Sequence, residues 1–203
     1  MELVLVRHGE PVHEGGRETV DPELSAEGRA QAARAGRRLA REGGVEALFS
    51  SPLKRAYGTA EAIAEALGLE IQVLDGLAEA DAYSRDPTYV RLEELRRDAV
   101  RFRAFLADPL AFLGADASRF TAAVRDAFDA LAAQNDRRRI VAVTHGLPIN
   151  LMLADVLGLE RLLSFAPDYG SLTRVQIASP RALERGLPAR LVRSINEAGH
   201  HVP

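Results

Sequence analysis

The chain opens on an apolar run from Leu3 to Val6 that stops at Arg7-His8-Gly9. A short run without turn residues predicts a buried strand over residues 2–6, delivering an arginine and a histidine at its C-terminal end. After a glycine-rich loop, Ser25 is placed to cap a helix. Ala26, Ala30, Ala33 and Ala40 are expected on its apolar face, with Arg29, Arg34, Arg37 and Arg41 off it, until Gly43-Gly44 ends it. Val45 to Phe49 reads as a second strand. Leu53, Ala56, Ala60, Ile63 and Leu67 then recur at helical spacing up to Gly68, and Glu70 to Leu74 reads as a third strand.

Residues 80–135 break this alternation with helical patterns and no strand. Leu92, Leu95, Ala99, Phe102 and Leu106 form one stripe, and Phe120, Ala123, Val124, Ala127, Phe128 and Leu131 form another. The β-branched run from Arg139 to Val143 fits a central strand and is followed by a mostly apolar helix from about Leu147 to Leu157. Leu172–Ile177 and Arg190–Ile195 alternate more openly and are expected as sheet-edge strands joined through Gly186-Leu187-Pro188. The pattern predicts an α/β protein, a three-layer α/β/α sandwich with a mostly parallel central sheet. It is expected to be one domain over residues 1–203, with a helical insertion at about 80–135 over the C-terminal ends of the strands.

Composition narrows the chemistry. With no cysteine, thiolate metal sites and cysteine nucleophiles are excluded, so histidine or a carboxylate must carry any covalent step. The net charge of −3 gives no general attraction to nucleic acid or to acidic membranes. Neither a membrane span nor a signal peptide is indicated, so a cytoplasmic protein is expected. A homodimer is compatible with the sequence.

The candidate groups fall just after predicted strands: Arg7 and His8, Ser51 and Arg55, Glu79, and His145. In open α/β sheets ligands bind beyond the carboxyl ends of the strands, so this placement gathers cations and imidazoles where an anion would sit. Ser51-Pro52 reads as an N-cap followed by proline at the first helical position, which puts Arg55 in a first helical turn, and Pro148 marks a helix start after His145. Taken singly, each residue has a plainer explanation as a surface ion-pair partner, a satisfied polar group or a helix start. Their joint occurrence in order at strand ends outweighs it.

These motifs resemble the histidine phosphatase superfamily, the group that includes cofactor-dependent phosphoglycerate mutases, and the likeness covers nearly the whole chain. It rests on Arg7-His8-Gly9, on Leu24-Ser25-Ala26-Glu27-Gly28, on Ser50 to Ala56 continued by Thr59-Ala60, on Leu77-Ala78-Glu79, on Thr144-His145-Gly146, and on Asn196 with His200. The resemblance implies that His8 is the nucleophile that becomes phosphorylated. Arg7, Arg55, His145 and Gly146 would hold the phosphoryl group. Glu79 would protonate the leaving group and then activate water. No cofactor and no metal are implied. The expected activity is that of a metal-independent phosphomonoesterase acting on a small phosphorylated metabolite through phosphohistidine.

The chain departs from the family pattern in places. Pro11 and Glu14 stand where relatives carry a threonine and a phosphate-assisting asparagine, and Glu14 is expected to point away from the phosphate. Ala80 to Arg85 matches neither the glycine-tryptophan segment of many relatives nor the basic, tyrosine-containing stretch of mutases, so Asp81 competes with Glu79 for the acid role. Ser25, Arg96 and Arg103 are placed at the substrate rim, where the arginines would favour a second anionic group on the substrate. His200-His201 are expected in a tail contact or at the rim. The alternatives are a phosphoglycerate mutase-type phosphotransferase, a non-catalytic phosphate-binding or interaction module, and, more weakly, a metal hydrolase.

Overall fold

A computed structural model describes residues 1–13, 20–134 and 138–201. In chain order the elements are β1 (Glu2–Arg7), α1 (Ala26–Glu42), β2 (Val45–Ser50), α2 (Lys54–Leu67) and β3 (Ile71–Val73). The 3₁₀ turns Asp75–Leu77 and Ala80–Tyr83 follow, then α3 (Leu92–Leu95), α4 (Ala99–Ala107), α5 (Pro109–Phe112) and α6 (Ala117–Gln134). The chain closes with β4 (Arg139–Thr144), α7 (Gly146–Leu157), β5 (Leu172–Ile177), α8 (Pro180–Glu184), β6 (Arg190–Glu197) and a 3₁₀ turn at Gly199–His201.

The strands form one sheet in the order β3-β2-β4-β1-β5-β6. The β3-β2, β2-β4 and β4-β1 pairs are parallel, whereas β5 pairs antiparallel with both β1 and β6. Strand side chains alternate between faces, and β1 shows the consequence. Leu3 and Leu5 pack with Phe120, Phe128 and Leu131 of α6 and Ile149 of α7, while Val4 and Val6 pack with Ala35 and Leu39 of α1 and Ala60 and Ile63 of α2. The mostly parallel sheet with helices on both faces is therefore as expected. Among the described residues no helix is long and apolar enough to cross a membrane.

Several local expectations need correction. The buried face of α1 is Gly28, Ala32, Ala35, Gly36 and Leu39, and Ala26 and Ala40 are exposed. Alanine occurs on every side of this helix, so apolar periodicity alone could not orient it. The glycines marked the true face: a Cβ on Gly28 would lie 1.9 Å from the Glu10 carbonyl oxygen, and one on Gly9 would lie 2.3 Å from that of Gly28. The start of α1 is thus packed backbone to backbone against the loop after β1. Ser25 does cap it, accepting from Gly28 N at 2.9 Å.

The stripe from Leu92 to Leu106 is not one helix, since Arg96-Arg97-Asp98 separates α3 from α4 and Asp98 recaps the chain by accepting from Val100 N and Arg101 N. Leu95 is buried, but Ala99 and Leu106 are exposed. The second helical stripe holds, and it places α6 in a layer of the sandwich rather than above the strand ends. β5 is interior, not an edge strand: its polar-looking Arg174 is 9% exposed inside an ion cluster with Glu2, Glu42 and Glu197.

Candidate active site

At the end of β1, His8 is 2% exposed and its Nδ1 lies 2.7 Å from the Gly9 carbonyl oxygen. A carbonyl can only accept, so Nδ1 carries the proton and Nε2 keeps its lone pair. Gly9 N donates to Thr59 Oγ1 at 2.9 Å, and Thr59 in turn donates to the Arg55 carbonyl at 2.8 Å. This chain of bonds ties the loop after β1 to the first turns of α2.

α2 begins at Lys54, two residues later than Ser51-Pro52 suggested, and its N-cap Leu53 offers no side-chain bond. Lys54 N is instead satisfied by Asp21 Oδ1 at 3.0 Å. Arg55 is still in the first turn and is wholly buried. Its Nη2 donates to Asp81 Oδ2 at 2.8 Å, and its Nη1 is 3.6 Å from Asp21 Oδ1. Nε and Nη1 have no hydrogen-bond partner among the described residues, and the same is true of Arg7 Nε. Buried guanidinium N–H groups without acceptors are costly, so they mark a place where an anion would be held.

At the end of β4, His145 is wholly buried, with Nε2 2.8 Å from Ser51 Oγ and Nδ1 unpartnered. Its ring centre lies 4.9 Å from that of His8. Burial, and then the Arg55 charge, hold both histidines well below the usual imidazole range, so both are neutral near pH 7.

Glu79 bridges two elements. Its Oε1 accepts from Ala80 N at 2.9 Å, and its Oε2 accepts from Leu147 N at 3.2 Å in the first turn of α7. Those donors favour the carboxylate, but burial and the neighbouring Asp81 charge prevail and push its pKa up to about 7. Asp81 is also raised by burial, while Arg55 pulls it back. One Asp81 oxygen is committed to Arg55, so the two carboxyls differ in environment: Asp81 is an ion-pair partner, whereas Glu79 can hold a proton at neutral pH.

Two tyrosines cover this cradle. The Arg7 guanidinium stacks 4.0 Å from the Tyr169 ring centre, and that of Arg55 lies 4.8 Å from Tyr89. The two hydroxyls meet at 2.9 Å. The adjoining cleft is lined by Arg7, His8, Glu79, Asp81, Gly146 and Asn150 together with largely apolar residues from 88–113 and 163–167.

A family model described as the histidine phosphatase superfamily (branch 1) matches residues 3–185. The chain belongs to that superfamily. It is 31% identical over 193 residues to phosphoserine phosphatase 1 of Hydrogenobacter thermophilus, covering 89% of each chain. Among solved structures it shares the fold of a phosphoserine phosphatase from Entamoeba histolytica, with TM-score 0.72, 24% identity and 98% of each chain covered. A mycobacterial glucosyl-3-phosphoglycerate phosphatase superposes with TM-score 0.73 at 23% identity, over 97% of this chain and 99% of that one. Family membership together with the phosphoserine phosphatase relative, matched over most of both chains, identifies a phosphatase.

The structure brings Arg7, His8, Arg55, Glu79, His145 and Gly146 to one cleft or its immediate wall. Ser25, expected at the rim, is the α1 cap and does not line the cleft. Arg96 and Arg103 are exposed and also lie off it. Arg96 follows α3 at the break before α4, with its guanidinium 6.0 Å from the Phe102 ring centre. The arginine of this segment that approaches the site is Arg91, which donates to Glu10 at 3.0 Å.

Pro11 forms a bridge with Leu24, and Glu14 lies outside the described residues. His200 and Asn196 make a tail contact: His200 Nε2 donates to the Gly170 carbonyl at 3.0 Å, and Asn196 bonds both ends of Asp168. They thereby hold the loop that carries Tyr169. Sequence reasoning missed both tyrosines, because a lone aromatic in a loop carries no periodic signal, and no spacing relates Tyr89 to Tyr169.

Proposed function

We propose that the protein hydrolyses small phosphomonoesters through a phosphohistidine on His8. The observation that carries this reading is the proton placement: His8 is held by the Gly9 carbonyl with Nε2 free, and a carboxyl with a pKa of about 7, that of Glu79, lies in the same cleft.

In the first step His8 Nε2 attacks phosphorus and the bond to the ester oxygen breaks. The Glu79 proton moves to that oxygen, and the alcohol leaves. Charge on the transferring phosphoryl group is met by Arg7 and Arg55, whose unpartnered N–H groups are already desolvated. In the tautomer that accepts from the Ser51 hydroxyl at Nε2, His145 carries its proton on Nδ1, which is then a further donor for a phosphoryl oxygen. In the second step the Glu79 carboxylate takes a proton from water, the water oxygen attacks phosphorus, and the N–P bond breaks. Phosphate departs, with His8 neutral and Glu79 protonated again.

Phosphoserine and glucosyl-3-phosphoglycerate, named for the relatives above, are the reference phosphoesters against which other substrates are compared. The same reading makes the enzyme cytoplasmic, with a small phosphorylated molecule rather than nucleic acid or membrane as its partner, in keeping with the net charge of −3. Brief incubation with substrate, followed by quenching, should leave an acid-labile, base-stable phosphoryl adduct on His8. Turnover should survive chelation by EDTA. An adduct on another residue, or activity lost to EDTA and restored by a divalent ion, would overturn the mechanism.

A further inference from the structure

The cleft is lined by residues of opposite character. Arg7, His8, Glu79 and Asp81 supply its polar lining, where phosphoryl would be held, and Val90, Leu92, Phe105, Leu113, Leu163 and Phe165 supply an apolar wall. Among the described residues, Arg7 is the sole arginine or lysine lining the cleft, and its guanidinium belongs to the phosphoryl cradle.

The other cations of this region are engaged elsewhere. Arg91 pairs with Glu10 and Glu93. The polar residues of the wall offer little more. Asn150 spends its whole amide on the backbone: Nδ2 donates to the Gly146 and Phe165 carbonyls, and Oδ1 accepts from Ser164 N and Phe165 N. It therefore fixes the 164–165 loop and leaves no free group for a substrate. The Tyr89 hydroxyl is engaged with that of Tyr169, and Thr88 remains.

From this we infer that the alcohol carried by the natural substrate presents an apolar or aromatic body to the cleft and carries no second anionic group. The inference rests on the phosphatase reading for which lining holds phosphate, and it goes beyond that reading by assigning the apolar wall. A carboxylate on the leaving group would be desolvated against aliphatic and aromatic side chains with no free cation beside it among the described residues, whereas a hydrocarbon body would be drawn out of water there. The expectation from Arg96 and Arg103, a doubly anionic substrate, is replaced: both are exposed and off the cleft, and Leu92 and Phe105 of the same segment line it.

A series of n-alkyl phosphates from propyl to hexyl tests this, because leaving-group acidity barely changes along it. We expect kcat/KM to rise about fourfold per added methylene until the wall is covered. Phosphoserine and 3-phosphoglycerate should fall at or below propyl phosphate. Phe105→Ser and Leu163→Ser should each flatten the slope. A flat series in the unaltered enzyme, or faster turnover of phosphoserine or 3-phosphoglycerate than of hexyl phosphate, would overturn the inference.

Binding to the His8→Ala protein, measured by calorimetry, judges the wall independently of turnover. Hexyl phosphate should bind tighter than phosphoserine and with a negative heat-capacity change. Tighter binding of phosphoserine would reject the apolar wall as the leaving-group site. Failure to find any adduct or turnover in the unaltered protein would instead reject the phosphohistidine mechanism, and the binding comparison would still decide the inference.

Discussion

The phosphoryl cradle and the apolar wall of the cleft are built by different parts of the molecule and held by different forces. Around the cradle, His8, Ser51, Arg55 and His145 are each at most 2% exposed and sit where β1, β2, α2 and β4 meet their loops. Glycine-mediated backbone contact at Gly9 and Gly28, the Thr59 bonds and the Asp81 ion pair leave these groups little freedom. Around the wall the chain is looser. α4 buries none of its residues, Val100 is 78% exposed, and the segment is tied down by partly exposed pairs such as Arg91–Glu10 and His13–Glu94. Fixed charge thus sits on the rigid scaffold, where misplacement would cost most, and the choice of substrate is left to a weakly anchored, apolar segment.

The sharpest way to break this contrast is at His8. His8→Ala should abolish the phosphoryl adduct and lower turnover by at least about 10⁴-fold, as removal of a nucleophile does elsewhere. Quench-flow trapping of the adduct would show it, and residual turnover within tenfold of the parent would place the nucleophile elsewhere.

Glu79→Gln comes next. On alkyl phosphates it should cost about 10²–10⁴-fold, and on an activated aryl phosphate much less, since only the poor leaving group needs a proton. The parent enzyme should show the matching pH dependence. Glu79 donates only when protonated, so kcat/KM on an alkyl ester should hold below pH about 7 and fall above it. The histidines, held neutral by burial, should add no limb in that range. Asp81→Asn removes a negative neighbour that helps to raise Glu79, so it should move the falling limb to lower pH. A limb that moves upward or stays put would deny the coupling.

Asp81 also tests rigidity. Asp81→Ala leaves the buried Arg55 charge without its hydrogen-bonded partner and should destabilise the fold by about 3–5 kcal/mol, read from the denaturant midpoint. Tyr169→Leu and Tyr89→Leu alter the rings that cover the cradle. Loss of stacking on Arg7 or Arg55 should raise KM for every phosphoester about 3- to 30-fold, and Tyr→Phe, which keeps the ring, should restore most of it. An effect confined to kcat, or Phe behaving as Leu does, would show that the rings do not position the arginines. The smallest effect is expected from Arg96→Ala with Arg103→Ala, which should leave kinetics within about twofold on singly and doubly anionic substrates alike, because both are exposed and off the cleft.

Much of this molecule was legible in the chain. The strand positions, the Ser25 cap, the α6 stripe and the clustering of Arg7, His8, Arg55, Glu79 and His145 follow from local pattern, because strand alternation, helical spacing and a polar residue after an apolar run are properties of neighbours in sequence. What the pattern misread is equally specific. Alanine on all sides hid the buried face of α1, an internal ion cluster made β5 look like an edge, and a capping aspartate split a stripe that looked continuous.

The residue types of the chemistry were therefore determined by the sequence alone. Their working state was decided by the tertiary structure. Only folding brings the Gly9 carbonyl to His8 Nδ1, sets Asp81 rather than Glu79 against Arg55, lays Tyr89 and Tyr169 on the two guanidinium groups, and leaves Arg96 and Arg103 off the cleft that Phe105 and Leu163 line. Each of these depends on contacts between distant residues and on the exclusion of water around them. Proton placement and substrate preference are set by burial and by what lies opposite, quantities that no stretch of neighbouring residues contains.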